Sequence, residues 1–416
     1  MVTATARDFI TEQHPQDPAK LAGLQNTEIG PIPSDWQLVS VGSLFSFKNG
    51  LNKSKEYFGH GRPIVNYMDV FSKPGIRAAD IAGLVDLSRK EIERFGVRKG
   101  DVFFTRTSET LEDIGIASVL LEDIKDAVFS GFVLRGRPTS HGLTDSFKKY
   151  CFSSSVVRHQ IVSKGTYTTR ALTNGRALSS VLLPIPPTKS EQQAIGEALG
   201  DTDACIESLS KLIEKKRLIK QGAMHELLSG RRRLPGFSGE WAHARLGQLA
   251  EIGTGSRNNQ DKEENGLYPF FVRSKNVERI NSYSFDCEAI LVPGEGGIGD
   301  ILHYIDGKFD VHQRVYAIRN FTSCSCGKYI YYYMMMYFGA HAKQNTVKAT
   351  VDSLRLPTFQ NFAVMLPPTI DEQASIAALV ADFDTEIDDL ELKLAKARQI
   401  KQGMMQVLLT GRVRLV

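Results

Sequence analysis

The chain has 416 residues, 42% of them hydrophobic and 24% charged, with a formal net charge of +4. That is enough for two or three domains with full cores, and the composition is that of a soluble globular protein, with no apolar run approaching the roughly 20 residues a bilayer span needs. The mild positive charge permits nucleic-acid binding without demanding it. The five cysteines, Cys151, Cys205, Cys287, Cys324 and Cys326, are scattered and odd in number, which argues against a disulfide framework, and Cys324-Ser-Cys326 lacks the second ligand pair of a zinc site.

In chain order, residues 1–32 are an N-terminal extension, of which 1–28 has no counterpart later in the chain. Residues 1–21 are polar and carry no signal-peptide core, so a cytoplasmic location is expected. A first mixed domain follows over 33–185, with strand-like runs at 101–105, 117–121, 127–130 and 131–134. Its polar and basic loop residues beside those runs are Asn66, Tyr67, Lys73, Arg106, Thr107, Lys164, Tyr167, Thr169 and Arg170. Arginine and lysine suit guanine edges and phosphates, and asparagine and glutamine suit adenine edges, so such loops have the chemistry of groove readout; the same residue types also serve as solvated or phosphate-binding positions.

Residues 186–234 open on Pro-Pro-Thr-Lys-Ser-Glu-Gln-Gln and close on Leu-Leu-Ser-Gly-Arg, the start and stop signals of one helix of about 40 residues, roughly 60 Å long. Ser190 is the expected N-cap, with Gly230 ending the helix. Ile195, Leu199, Thr202, Ile206, Leu209 and Ile213 recur at alternating four-three spacing, a narrow stripe best buried on an equivalent stripe. Lys211, Lys215, Lys216, Arg217 and Lys220, then Arg231-Arg232-Arg233, read as a solvated face favoured by the helix dipole.

A second mixed domain occupies 235–366, with strand-like runs at 289–292, 300–304 and 311–318. Its loop candidates are Arg273, Ser274, Lys275, Asn276, Gln313, Arg314, Lys343, Gln344, Asn345 and Lys348. Gly294-Glu-Gly-Gly-Ile-Gly299 fits the dinucleotide fingerprint, but that fingerprint needs the glycines to open a helix. Here a strand-like run ending at Asp306-Gly307 follows, which points to a hairpin. The aromatic and methionine run 329–338 has helical spacing and reads as core.

Residues 367–416 then repeat the first helix. Residues 186–234 return at 367–415 with a constant offset of 181 residues, Glu191 falling on Glu372, with no gap and roughly 23 identities over about 50 positions. Asp371 is the expected cap, Gly411 the stop, and Ile376, Val380, Phe383, Ile387, Leu390 and Leu394 repeat the stripe. A second echo, Trp36 to Trp241 and Gly50 to Gly255, has an offset of 205, so the first repeat carries 24 more residues than the second.

The expected fold is therefore α+β, with an internal pseudo-twofold repeat. Two mixed α/β domains are held apart by two long helices pairing antiparallel as a coiled coil, because only residues 235–240 separate the first helix from the second domain, and the termini come close together. That geometry is a molecular ruler. No phosphate loop, zinc-protease or nucleophile-elbow motif occurs, nor the Asn-Pro-Pro-Tyr type of motif that amino-methyltransferases use, so a chain without catalytic residues and without a bound metal is expected.

The repeat of variable domain plus long helix, with Pro-Pro-Thr-x-x-Glu-Gln at each helix start, a tryptophan early in each domain and Leu-Leu-(Ser/Thr)-Gly-Arg at each helix end, resembles the specificity subunit of type I restriction-modification enzymes from about residue 32 onward. The resemblance implies two target-recognition domains, each reading one half of a split double-stranded DNA target. It implies helices that set the gap and dock two methyltransferase subunits, to which two restriction subunits can add. It further implies no cofactor in this chain, with S-adenosylmethionine for adenine methylation and ATP and Mg for endonuclease action in the partners. The competing readings are a protein-interaction scaffold without DNA readout, and a stand-alone DNA methyltransferase or nuclease.

Overall fold

The computed structural model describes residues 23–297, 299–345 and 353–415. The first 22 residues of the extension and the candidate Lys348 lie outside them. The chain divides into two compact units, residues 1–208 with 394–416, and residues 209–393.

The first unit is built on a five-stranded sheet whose order is Phe45–Asn49, Val133–Pro138, Val102–Thr105, Ala117–Leu120, Gly75–Ile76. The two strands Val102–Thr105 and Ala117–Leu120 are buried at every residue. This is why they read as continuous apolar runs rather than alternating ones. One face packs Val102, Phe104, Val119 and Leu134 against Phe147, Phe152 and Ile161, and against Ile195, Leu199, Leu408 and Leu409 of the long helices. The other face buries Phe103, Leu120, Phe129 and Val133. A small sheet of Thr166–Tyr167, Ala171–Leu172 and Thr107–Ser108 is added at one edge.

The second unit has a six-stranded sheet in the order Glu251–Thr254, Val315–Arg319, Phe285–Pro293, His303–Val311, Tyr268–Phe271, Glu278–Ile280. The helix Gly327–Gln344 buries Tyr329, Ile330, Tyr332, Tyr333, Met334 and Phe338. The aromatic and methionine run is thus core, packed with Leu228, Ile376 and Val380 of the long helices. One expectation is corrected here: Asp306 and Gly307 lie inside the strand His303–Val311, which pairs antiparallel with Phe285–Pro293. The hairpin turn is the glycine run itself, with Gly296, Gly297 and Gly299 at positive φ, and no helix follows it to hold a pyrophosphate.

The two repeated segments form helices Lys189–Leu228 and Ile370–Leu408, of 40 and 39 residues. Their caps are Thr188 and Thr369, whose hydroxyls accept the Glu191 and Glu372 amides at 3.1 and 3.3 Å. The expected caps Ser190 and Asp371 lie one residue inside the first turn, because both helices begin directly after the threonines. Gly230 and Gly411 end the helices at φ 69°, a conformation that costs a side-chain-bearing residue strain. The same closing bonds recur at the 181 offset, Arg232 N–H to Glu226 O and Val413 N–H to Val407 O, both 3.1 Å.

Of the predicted stripe, Ile195, Leu199, Ile213, Ile376, Val380, Ile387 and Leu390 are buried, and Ile206, Leu209, Phe383 and Leu394 are partly so. In the first unit Lys401 pairs with Asp203 at 2.6 Å and the Thr202 hydroxyl donates to Met404 Sδ. In the second, Lys216 pairs with Glu386, Lys220 with Asp384 and Arg217 with Glu391. From Thr202–Met404 to Asp203–Lys401 and from Arg217–Glu391 to Lys220–Asp384 the number rises on one helix as it falls on the other, so within each unit the helices run antiparallel. Lys216, Arg217 and Lys220, read as part of a solvated face, are therefore cross-helix partners. Pairs such as Arg217–Glu391 that stand in solvent each contribute only about 0.2–1 kcal/mol. Burial of the stripe supplies most of the stability and the pairs fix its register.

Candidate nucleic-acid interface

The loops that carry the predicted binding residues leave equivalent strand ends in the two units, and the backbone bonds that hold them are the same. Leu51 bridges Ser130 as Arg257 bridges His312, both parallel. Gly131 N–H donates to Leu51 O as Gln313 N–H does to Arg257 O, both 2.8 Å; Ser130 N–H to Val65 O matches His312 N–H to Phe271 O, at 2.9 and 3.0 Å. Arg106 N–H to Phe132 O, 3.0 Å, matches Gly294 N–H to Arg314 O, 2.8 Å, and Thr173 N–H to Arg106 O, 2.9 Å, matches Leu354 N–H to Gly294 O, 2.8 Å. These bonds make Tyr67 the counterpart of Arg273, Thr107 of Glu295, Phe132 of Arg314 and Asn52 of Asn258. The scaffold is shared while every one of those side chains except the last differs.

Gly50 and Gly255 stand at the root of this arrangement. A Cβ at either would lie 2.2 Å from Ser130 O or 1.9 Å from Val311 O, far inside contact distance, so only glycine lets the two strands approach this closely.

In the first unit the small sheet gathers most of the candidates. Thr107, Tyr167, Thr169 and Arg170 lie on or beside its strands, Lys164 caps the helix Ser155–Ser163 that leads into it, and the Tyr67 hydroxyl lies 3.2 Å from Ser108 Oγ. Arg170 reaches Glu109 at 3.4 Å, and Arg106 Nη1 bonds Gly131 O at 3.3 Å. Asn66 stands at the start of the short helix Tyr67–Ser72, its backbone N–H donating to Asp69 Oδ2 at 2.8 Å, and its side-chain amide donates to Ile64 O at 3.2 Å, so its side chain has a structural task. Lys73 is not brought to the group: it is spent on Asp80 at 2.5 Å, and that bond raises its ammonium pKa. Phe132, 60% exposed at the tip equivalent to Arg314, was missed because a phenylalanine in an apolar run reads as core.

In the second unit the candidates form two groups joined by the glycine loop. Arg273 and Arg314 converge on Glu295, Arg273 at 3.1 Å; Gln313 donates to Asn258 Oδ1 at 2.6 Å; and the Arg314 amide donates to His312 Nδ1 at 3.0 Å. Ser274 O meets His303 Nε2 at 3.1 Å, while Lys275 and Asn276 are exposed beside it. At the loop's other end Lys343 pairs with Asp300 at 3.2 Å, near Gln344 and the helix-capping Asn345. Burial lowers the His312 pKa from its ordinary value, with Arg273 and Arg314 adding to the effect and Glu295 and Asp261 opposing it. Asn258, Glu295 and His312 were missed; Glu295 was visible only as part of a glycine motif belonging to another chemistry.

The repeated Glu-Gln pair ties each unit together. Gln192 donates to Gly142 O and Pro186 O and accepts the Thr144 amide; Gln373 does the same with Cys324 O, Pro367 O and the Cys326 amide. Glu191 and Glu372, both buried, receive Arg414 and Arg233. Tyr150 donates to Asp203 and Tyr332 to Asp384, each at 2.8 Å. Every one of these contacts has its counterpart in the other unit.

A duplicated scaffold with one invariant half and one rewritten loop face defines a two-site recognition protein. The chain matches the family described as type I restriction modification DNA specificity domain over residues 33–216 and 238–400, and it belongs to that family, the specificity subunits of type I restriction-modification systems. It is 23% identical over 447 residues to a putative type I restriction enzyme MjaX specificity subunit of Methanocaldococcus jannaschii, covering 95% of this chain and 98% of that one. To the type I restriction enzyme EcoDI specificity subunit of Escherichia coli it is 27% identical over 173 residues, 41% of this chain and 37% of the other. Its fold is similar to the crystal structure of a type I restriction-modification S subunit from M. genitalium, with TM-score 0.62, 17% identity, and coverage of 90% of this chain and 96% of that one. No helix among the described residues is long and apolar enough to cross a membrane.

Proposed function

We propose that each mixed domain, 33–185 and 235–366, reads one half of a split double-stranded DNA target through the loop face described above. The helix segments 186–234 and 367–416 set the gap between the halves and dock two methyltransferase subunits, with restriction subunits joining that complex. In this reading the chain performs no chemistry: adenine methylation from S-adenosylmethionine and ATP-dependent cleavage with Mg belong to the partners, in the cytoplasm. Phosphate contacts supply most of the affinity and the loop side chains supply discrimination.

The observation that carries this reading is the pairing of identical loop anchoring with different loop side chains, Tyr67 against Arg273, Thr107 against Glu295 and Phe132 against Arg314. A protein-interaction scaffold has no need to hold these loop roots constant while replacing three of their four tips. The test is genomic adenine methylation mapped in cells with and without this chain and its methyltransferase partner. A split motif that appears only with the chain is expected. Exchange of residues 41–185 should alter one half of it, and a heptad inserted in both helices should alter only the gap. An unchanged methylome defeats the reading.

A further inference from the structure

We propose that Arg273 and Arg314, held side by side by the shared carboxylate of Glu295, read guanine edges in the half-site of the second domain, with Glu295 as their positioning residue. The proposal rests on the loop face being the DNA-reading surface. Arg273 Nη1 lies 3.1 Å from Glu295 Oε2, and Arg314 Nη1 bonds Oε1. The Glu295 side chain is only 17% exposed while the arginines are 45% and 59% exposed, so the carboxylate is sunk between two guanidinium groups that face solvent. Each is engaged through one nitrogen of a planar fork that carries five N–H donors.

The backbone supports of Arg314 and Glu295 are fixed. Gly294 N–H donates to Arg314 O, Arg314 N–H donates to His312 Nδ1, and Glu295 is bridged antiparallel to Ser353. Long side chains already ordered lose less conformational freedom on docking, which is how preorganisation raises affinity. The carboxylate also decides the kind of target. A phosphate approaching the pair would meet the charge of Glu295, whereas guanine presents two uncharged acceptors, O6 and N7, that match an arginine fork. The counterpart positions in the first domain, Tyr67, Thr107 and Phe132, hold neither cation nor carboxylate, so the two half-sites make different demands.

The experiment is selection from a randomised double-stranded DNA library by the whole chain assembled with its methyltransferase subunits. Wild type, R273A, R314A, the charge-keeping R273K and R314K, and E295Q are compared, with thermal midpoints checking folding. A G·C pair is expected in the half assigned to the second domain by domain exchange. Each arginine variant, lysine included, should lose on the order of ten-fold preference at one such pair and leave the other half unchanged. E295Q should loosen the same positions and steepen the salt dependence. Uniform weakening on all sequences, rescue of preference by lysine, or a second half-site without G·C pairs overturns the proposal while the bipartite reading stands. Absence of any bipartite motif with wild type overturns both.

Discussion

The guanidinium of Arg233 lies in two parallel bonds on the carboxylate of Glu372, Nε to Oε1 at 2.8 Å and Nη2 to Oε2 at 2.6 Å. Arg414 holds Glu191 in the same way, its Nη2 at 2.8 Å from Oε2, and each arginine also covers a tryptophan ring, Trp241 or Trp36. The end of one long helix is thus tied to the start of the other in each unit. The sequence repeat conserves both members of the pair.

The two partners are not equally buried, and that sets the sign of a first prediction. The Glu372 side chain is fully buried while Arg233 is 25% exposed, and Arg233 has the carbonyls of Ser238 and Gly239 as further acceptors. Arg233→Ala strands a buried carboxylate and should cost about 3 kcal/mol, whereas Glu372→Ala leaves a cation with water and carbonyls within reach and should cost about 1–2 kcal/mol. Urea unfolding read from Trp241 fluorescence, in a Trp36→Phe background, measures both. Equal losses would show that burial is not what separates the partners.

The Tyr150–Asp203 and Tyr332–Asp384 bonds, each 2.8 Å, fasten a domain to a long helix in each unit, and the same aspartates take Lys401 and Lys220 from the opposite helix. Burial, then the carboxylate bond, raises the pKa of both hydroxyls, so they stay protonated donors across the physiological range. Tyr150→Phe and Tyr332→Phe should each lower stability by about 1.5 kcal/mol, as expected for a bond to a charged group, with base preference untouched. Denaturant midpoints and library selection on the assembled complex check the two halves of this statement separately.

Gly50→Ala and Gly255→Ala test the loop root. Neither glycine has positive φ, so the penalty comes from the carbonyl oxygens that a Cβ would strike. Since backbone must move to relieve it, each substitution should cost about 3 kcal/mol. It should also disturb the loops on both sides of the bridge, Asn52 with Phe132, or Asn258 with Arg314. Amide exchange should rise at Gly131 or Gln313, and protection equal to wild type there would mean the root tolerates a side chain.

What the chain reveals without coordinates divides along one physical line. The long helices, their glycine stops and the buried stripe were legible because they are periodic and local, and the echo of Gly50 in Gly255 marked a real constraint before its cause was visible. The caps were misplaced by two residues because threonine, serine and aspartate all stand at the helix start and only backbone geometry chooses among them. The strand through Asp306-Gly307 ran past a turn signal because nine residues of sheet, paired with a strand on either side, outweigh one local preference. The loop face was least legible: its equivalences, Phe132 with Arg314 and Thr107 with Glu295, run at neither repeat offset and are set by non-local bonds.

The last prediction concerns His312, whose Nδ1 accepts the Arg314 amide where, in the first unit, the Ser130 hydroxyl accepts the Phe132 amide at 3.4 Å. Only a neutral imidazole accepts there. Burial holds the His312 pKa below its ordinary 6.5, Arg273 and Arg314 push the same way, and Glu295 and Asp261 oppose them. The folded-state pKa is therefore depressed, so as pH falls through about 6.5 the unfolded chain takes up the proton first, and the contribution of this group to stability is present above that pH and declines below it. Stability of the second unit, read from Trp241, should fall between about pH 7 and the depressed folded pKa by an amount that His312→Ser removes, since a hydroxyl accepts the same amide without titrating in this range. His312→Asn should behave likewise, its side-chain oxygen accepting from the amide two residues on. Base preference at the pairs assigned to Arg314 should loosen over the same pH interval in wild type and not in His312→Ser. A pH slope that persists unchanged in both variants would place the titrating group elsewhere in the unit.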